Sequence, residues 1–162
     1  MKKNFIILFL MIVIPIKAFA LIEVDITRGN LNPLPLAVSP LSIDEKSRKS
    51  FEKILKKQNI GSEISNIVEN NLRISGLFNP LSKDAFLQAP DIANLKPRFE
   101  DWNLIKAQAL ITGKVTYVDE KLRVEFRLWD ILAAKEMMAL AFTTVPSNWR
   151  RVGHIISDKV YE

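Results

Sequence analysis

The residue types that most often carry catalysis or bind metals are scarce in this chain. It has one histidine, His154, and no cysteine, so a zinc site with nitrogen or sulfur ligands is not expected. His154 lies in a predicted helix beside apolar residues, where we expect a partly exposed or hydrogen-bonded structural residue. Two carboxylate pairs, Asp119/Glu120 and Glu100/Asp101, fall in a predicted turn and at a predicted helix start. Solvation and helix capping account for both pairs without acid–base catalysis.

The motifs that mark common enzyme classes are also missing from the sequence. There is no Gly-x-Ser-x-Gly elbow, no glycine-rich phosphate loop and no His-Glu-x-x-His. We therefore expect a protein that is not an enzyme and that takes no cofactor, metal or small-molecule substrate.

The first twenty residues have the three parts of a secretory signal peptide. Met1–Ala20 begins with two lysines, continues with the apolar run Phe5–Ile16, and ends in Ala18-Phe19-Ala20. The apolar run is shorter than the roughly 20 residues that a membrane-spanning helix needs. We expect cleavage after Ala20 and export to the periplasm.

Removal of this leader changes the charge of the protein. The chain has 23 lysines and arginines against 18 acidic residues; loss of the leader's three lysines leaves 20 cations, a net charge of about +2. Nucleic-acid binding usually needs a concentrated basic face, so it is not expected here.

The densest positive charge lies in one predicted helix, Asp44–Asn59. Its cations are Lys46, Arg48, Lys49, Lys53, Lys56 and Lys57. A basic amphipathic helix can lie on anionic lipid, so a membrane-surface module that uses Lys46–Lys57 is one hypothesis. A solvated helix face at the edge of a domain is the alternative.

Residues Leu21–Asn32 (LIEVDITRGNLN) alternate apolar and polar side chains. Ile22, Val24 and Ile26 share one face of an extended chain, and Gly29-Asn30 ends the pattern. Such a segment at a free terminus can add itself as a strand to the sheet edge of a partner. It can equally form the first strand of its own domain, and both remain open at this point.

The rest of the chain predicts strands and helices that pack together. A strand over Leu34–Leu41 contains Pro35 and Pro40, so we expect it at a sheet edge or very short. Further strands are predicted at 78–81, 110–118, 122–131 and 136–145, the middle pair as a hairpin. In the second hairpin arm, Leu122, Val124, Phe126 and Leu128 share one face.

Helical periodicity accounts for most of the remaining chain. Besides 44–59, a second helix has Ile64, Ile67, Val68 and Leu72 as its core stripe, with Gly61-Ser62 breaking the chain before it and Gly76 ending it. A helix at 98–107 would bury Phe99, Trp102 and Ile105, and a last helix follows a cap at Ser147. Residues 83–97 are expected to be irregular. The order predicts an α/β fold: a mixed, largely antiparallel sheet with helices packed on it.

Four residue runs resemble the amino-terminal domain of the TolB family. They are Leu72–Leu81 (LRISGLFNPL), Ala109–Val118 (ALITGKVTYV), Val124–Asp130 (VEFRLWD) and Trp149–Glu162 (WRRVGHIISDKVYE). The resemblance implies a non-enzymatic, monomeric adaptor of the periplasmic Tol–Pal system, which serves outer-membrane integrity and constriction at cell division. The family is also linked to import of colicins and other proteins.

The resemblance further implies a partner and its binding site. In the family, the first mature residues form a TolB box that binds the C-terminal domain of the membrane protein TolA. The matching positions are Glu23, Val24, Asp25, Ile26, Thr27, Arg28, Gly29 and Asn30. The expected organisation is a signal peptide (1–20), a partner-binding arm (21–32) and a TolB-type α/β domain (33–162).

Family members continue into a β-propeller that docks the lipoprotein Pal, and no part of this sequence resembles those blades. We therefore expect a fragment, a truncated product or one half of a split gene, with Pal as a partner only if a propeller is supplied elsewhere. The alternative is an incomplete remnant whose arm is locked as a structural strand.

Overall fold

The computed structural model describes residues 32–162, which form one sheet with helices on it. The strands are β1 (Leu34–Val38), β2 (Ser42–Ile43), β3 (Phe78–Pro80), β4 (Ala109–Val118), β5 (Lys121–Asp130) and β6 (Lys135–Thr144). The helices are α1 (Glu45–Leu55), α2 (Ile60–Ile74), α3 (Pro90–Leu95), α4 (Phe99–Leu104) and α5 (Trp149–Tyr161). Short 3-10 turns occur at Lys83–Ala85 and Pro146–Asn148.

The sheet is mixed, and its longest pairings are antiparallel. Its order is β3-β1-β4-β5-β6, with β2 beside β4. β1 is parallel to β3 and β4, whereas β4, β5 and β6 form an antiparallel meander. The predicted fold class is therefore confirmed.

Each face of the sheet carries its own apolar core, because successive strand residues point to opposite faces. The larger core lies under α1, α2 and α5 and includes Phe51, Ile64, Val68, Phe126, Trp149 and Ile156. The smaller core lies under α4 and includes Ala37, Trp102, Leu110, Trp129 and Ile131. The alternation predicted for β5 is confirmed, since Leu122, Val124, Phe126 and Leu128 all belong to the larger core.

The sequence predicts the first strand at an edge or very short. β1 has five residues and runs between β3 and β4, so the edge position is wrong. The N–H of Leu34 donates to Leu77 on the β3 side, whereas the carbonyl of Pro35 faces β4 and accepts from the N–H of Gln108, each at 2.9 Å. The nitrogen of Pro35 also faces β4, but pairing with β4 begins only at Leu36. The missing donor therefore falls at the end of the ladder, where no hydrogen bond is lost.

The boundary between the first two helices differs from the prediction. α1 ends at Leu55 because Lys56 adopts a left-handed conformation with φ 58°, and α2 begins at Ile60 rather than after Gly61-Ser62. Gly61 lies inside the first turn of α2, where a Cβ atom would come within 2.2 Å of the Leu41 carbonyl oxygen. Glycine is needed there for close packing and not as a break.

Two further expectations need correction. Residues 83–97 are not wholly irregular, since they contain a 3-10 turn and the helix α3, which Pro90 begins at a position where its missing N–H costs nothing. Ser147 is not the cap of α5: it lies in the 3-10 turn, and Asn148 precedes the helix. Gly76, in contrast, follows the end of α2 as predicted, and it adopts a left-handed conformation with φ 73°.

Asp44 caps α1 and connects it to the sheet. Its carboxylate accepts from the Ser47 N–H at 2.9 Å and from the Ser47 hydroxyl at 2.8 Å, and that hydroxyl accepts from the Tyr117 N–H at 2.9 Å. The hydrogen bond from the Ser47 backbone is the main cause that lowers the pKa of Asp44 below its ordinary value of 3.8. The folded state therefore favours the carboxylate over the carboxylic acid.

Asp44→Ala is expected to lower the free energy of unfolding by about 1 kcal/mol at pH 7, because an N-cap is lost. Since the pKa is lower in the folded state, this contribution is complete above the unfolded pKa and fades as the pH falls through the folded one. Urea unfolding at pH 7 and pH 3 would show the penalty shrinking at pH 3, with Glu45→Ala as an exposed control. An equal penalty at both pH values would contradict a role for the charge.

Candidate functional site

The residues predicted to bind a partner, Glu23–Asn30, lie outside the described residues, as does the predicted leader Met1–Ala20. Among the described residues, those nearest to the predicted binding residues in the sequence are Asn32 and Pro33. Asn32 and Pro33 are exposed, and β1 begins at Leu34. Both sides of β1 are paired in the described sheet, with β3 on one side and β4 on the other.

The end of the domain at which β1 begins carries exposed apolar side chains. β3 and β4 also begin there, and β5 ends there, because Leu34 pairs with Phe78 and Ala109 pairs with Asp130. Exposed apolar residues close to these strand ends are Ile74, Leu77, Leu104 and Leu132. α5 also reaches this end, since its Ser157 contacts Asn71 near the end of α2. We call this region the terminal end.

The candidate catalytic residues are in positions that solvation and local hydrogen bonds explain. His154 is exposed on α5, and its Nδ1 lies 2.9 Å from the Asn71 amide nitrogen, in agreement with the predicted hydrogen-bonded role. Asp119 and Glu120 form the two-residue turn between β4 and β5, with φ of 49° and 58°. Within residues 32–162 no group of histidine and acidic side chains has a metal-binding arrangement.

The basic helix predicted from the sequence is α1, and its apolar face is occupied. Phe51 is buried and contacts Tyr117 edge to face, with ring centroids 5.5 Å apart, and Leu55 packs against the larger core. Ile54, 46% exposed, is the one large apolar side chain of α1 that faces solvent. The accessible surface of α1 is therefore charged rather than apolar, which leaves little apolar surface for the hypothesis of a membrane-surface module that uses Lys46–Lys57. Among the described residues, no helix is long and apolar enough to span a bilayer.

The sequence placed only α1 in this basic surface, but the structure adds two arginines from α5. Arg150 and Arg151 follow Trp149 in the first turn of α5, and the Lys57 ammonium group lies 5.1 Å from the centre of the Trp149 ring. The sequence feature that could have predicted their part in this surface is a pair of adjacent arginines at a helix start, where positive charge is unfavourable.

The grooves on the described surface include three shallow ones with a volume of about 330 Å³ each. Two adjoin β2 and share Ser42, Ile43 and Asp91, with mixed polar and apolar linings. The third lies between β6 and α5 and is lined in part by Phe142, Val152 and Ile155, with Arg151 at its side. None combines the nucleophile, base and anion-stabilising groups that a hydrolytic site needs.

Comparison with known proteins identifies a family. The profile of the TolB amino-terminal domain matches residues 22–137. A Tol-Pal system protein TolB from Pelagibacter ubique (strain HTCC1062) is 84% identical over 153 residues, which cover 94% of this chain and 34% of that protein. The chain thus spans about a third of the length of this curated relative.

Solved structures share the fold at low sequence identity. TolB from Acinetobacter baumannii superimposes with a TM-score of 0.61 at 21% identity, over 80% of this chain and 27% of that one. PelC from Paraburkholderia phytofirmans gives a TM-score of 0.51 at 14% identity, over 77% of this chain and 87% of that one. The profile match over most of the sequence, together with the Pelagibacter relative, shows that the chain belongs to the TolB amino-terminal domain family.

Proposed function

We propose that this chain is a non-enzymatic adaptor of the Tol–Pal system that recruits the C-terminal domain of TolA through residues Glu23–Asn30. The observation that carries the proposal is family membership together with the alternating arm at the positions of the TolB box. In this proposal the protein works in the periplasm, after removal of residues 1–20. It supports outer-membrane integrity, constriction at division and the import processes linked to the family.

The strand nearest to the arm in the sequence has no free edge for the arm to join. β1 is already paired on both sides. A strand that pairs with a partner's sheet edge gains affinity from backbone hydrogen bonds, and alternate side chains give specificity.

Ordering such an arm on binding has a cost. Fixing the backbone costs roughly 1–2 kcal/mol per residue, which offsets part of the gain from the new contacts. We therefore expect moderate, reversible affinity, which suits a partner that is engaged and released repeatedly.

Calorimetric titration with the C-terminal domain of TolA tests this proposal. Residues 21–162 are expected to release or absorb heat with saturation, and residues 32–162 are expected to give no binding. Circular dichroism of both proteins provides the control for folding. Equal binding by both would place the site in the folded domain, and binding by neither would favour an incomplete remnant or a requirement for a propeller.

A further inference from the structure

Cations near the end of α1 and at the start of α5 lie at the end of the domain opposite the terminal end. They are Lys53, Lys56 and Lys57 at the end of α1 and Arg150 and Arg151 at the start of α5, and we call them the basic patch. β4 has ten residues and spans about 30 Å between the two ends of the sheet. The described domain therefore begins and ends far from the basic patch.

Trp149 holds the two halves of the basic patch together. Its ring is buried, with the Lys57 ammonium 5.1 Å and the Arg150 guanidinium 4.4 Å from the ring centre. Cations over an indole ring are attracted by its negative face. Lys57 is further fixed by Glu63, whose carboxylate lies 2.6 Å from its ammonium group. These contacts orient part of the patch before any partner arrives.

Most of the positive charge in the patch is not neutralised by neighbours. Glu63 pairs with Lys57, and Glu52 accepts a hydrogen bond from the Gln58 amide at 2.5 Å. The turn residues Asp119 and Glu120 lie at the same end of the sheet. Across residues 32–162, no carboxylate forms an ion pair with Lys53, Lys56, Arg150 or Arg151.

A contribution to helix stability explains the presence of only some of these cations. Cations at the end of α1 interact favourably with the helix dipole, so Lys53 can be structural. Arg150 and Arg151 occupy the first turn of α5, which has no acidic residue and where positive charge is unfavourable. Lys56 has a φ of 58°, a conformation in which glycine would be less strained. The helix dipole therefore does not account for Arg150 and Arg151, and the backbone conformation does not favour lysine at position 56.

The surroundings of the patch favour a protein partner over a lipid surface. Ile54 and Val145, at the same end, are 46% and 53% exposed. The groove between β6 and α5, with a volume of about 330 Å³, opens beside Arg151, and the half-buried Phe142 and Ile155 in its lining can contact an apolar side chain. A planar guanidinium also matches the two oxygens of a carboxylate. A flat layer of lipid headgroups could contact the positive charges but could not place a side chain in the groove.

From this charge, orientation and groove we propose that the basic patch is a docking surface for an acidic segment of a protein partner. Carboxylates of the segment contact Lys53, Lys56, Arg150 and Arg151, and one apolar side chain enters the groove between β6 and α5. This surface is separate from the proposed arm site and does not depend on it.

A defined peptide tests the proposal on residues 21–162. The probe is a blocked peptide of four glutamates around one leucine, and binding is followed by backbone amide shifts in NMR spectra. We expect shifts at Lys53–Lys57, Arg150–Arg151 and Phe142, with affinity that falls by about tenfold when salt rises from low to physiological strength. The same peptide with glutamine in place of glutamate should not bind.

The variant Arg150→Glu/Arg151→Glu/Lys56→Gly removes three of the positive charges of the basic patch by substitutions that are compatible with both helices. Because acidic residues suit a helix start and glycine suits position 56, the variant should fold while peptide binding is lost. Lys106→Glu/Lys135→Glu, which makes two charge reversals at other positions, is the matched control and should retain binding.

Three outcomes would overturn the proposal. They are absence of peptide binding, equal loss of binding in the control, and shifts that spread over the whole surface. Patch-dependent sedimentation with phosphatidylcholine–phosphatidylglycerol vesicles, without peptide binding, would assign the patch to a lipid surface instead.

Discussion

The double substitution Val24→Asp/Ile26→Asp is expected to abolish binding to the C-terminal domain of TolA without unfolding the protein. In our proposal the arm binds as a strand, and the alternation in its sequence then puts both side chains on the face that contacts the partner. Burying an uncompensated carboxylate costs several kcal/mol, so two would remove any moderate affinity. Titration calorimetry measures the loss, and thermal unfolding followed by circular dichroism measures the Tm.

The matched control changes the same residue types on the folded domain. Val118 is 51% and Ile92 is 49% exposed, so Val118→Asp/Ile92→Asp should leave both TolA binding and the fold intact. Unchanged binding by the arm variant would show that Val24 and Ile26 are not the contact. Unfolding of the arm variant, with a stable control, would show that the arm belongs to the core.

Trp102→Ala is expected to be among the most destabilising single substitutions in the domain. Trp102 is 1% exposed, contacts Phe86 with ring centroids 5.0 Å apart, and donates from Nε1 to Gln88 Oε1 at 2.7 Å. Replacing a buried tryptophan by alanine costs about 3–5 kcal/mol, a large fraction of the 5–15 kcal/mol typical of a domain. Urea unfolding should show a lower midpoint with an unchanged slope.

Leu95→Ala provides the comparison, because Leu95 is 82% exposed and truncation there should change stability by less than about 0.5 kcal/mol. If Trp102→Ala also had an effect this small, the smaller core would not unfold cooperatively with the larger one. The layer under α4 would then be a separately melting part of the domain.

Elements with a strong local pattern could be predicted from the sequence. In β5 every second residue is apolar, and the pleat of a strand turns that alternation directly into a buried face. Asp119-Glu120 sits between two such patterns, and the structure places the hairpin turn there. Gly76 ends α2 as predicted, because few other residues adopt a positive φ without strain.

Predictions failed where distant segments decide the outcome. The prolines of the first strand suggested an edge, but β1 is interior because the unpaired nitrogen of Pro35 falls beyond the end of β4. Gly61 suggested a break, but its purpose is the close approach of Leu41 to α2. Helix α3 was missed because six residues carry too little periodicity to distinguish a helix from a loop.

By itself, the sequence determined the fold class, the family resemblance and the expected arm, because these depend on patterns between neighbouring residues. Only the tertiary structure decided which surfaces those elements form. Lys57 and Arg150 are far apart in the sequence, yet both lie over the ring of Trp149. The sequence pattern indicates which side chains are exposed. The packing of the end of α1 against the start of α5 decides which of these exposed side chains become neighbours.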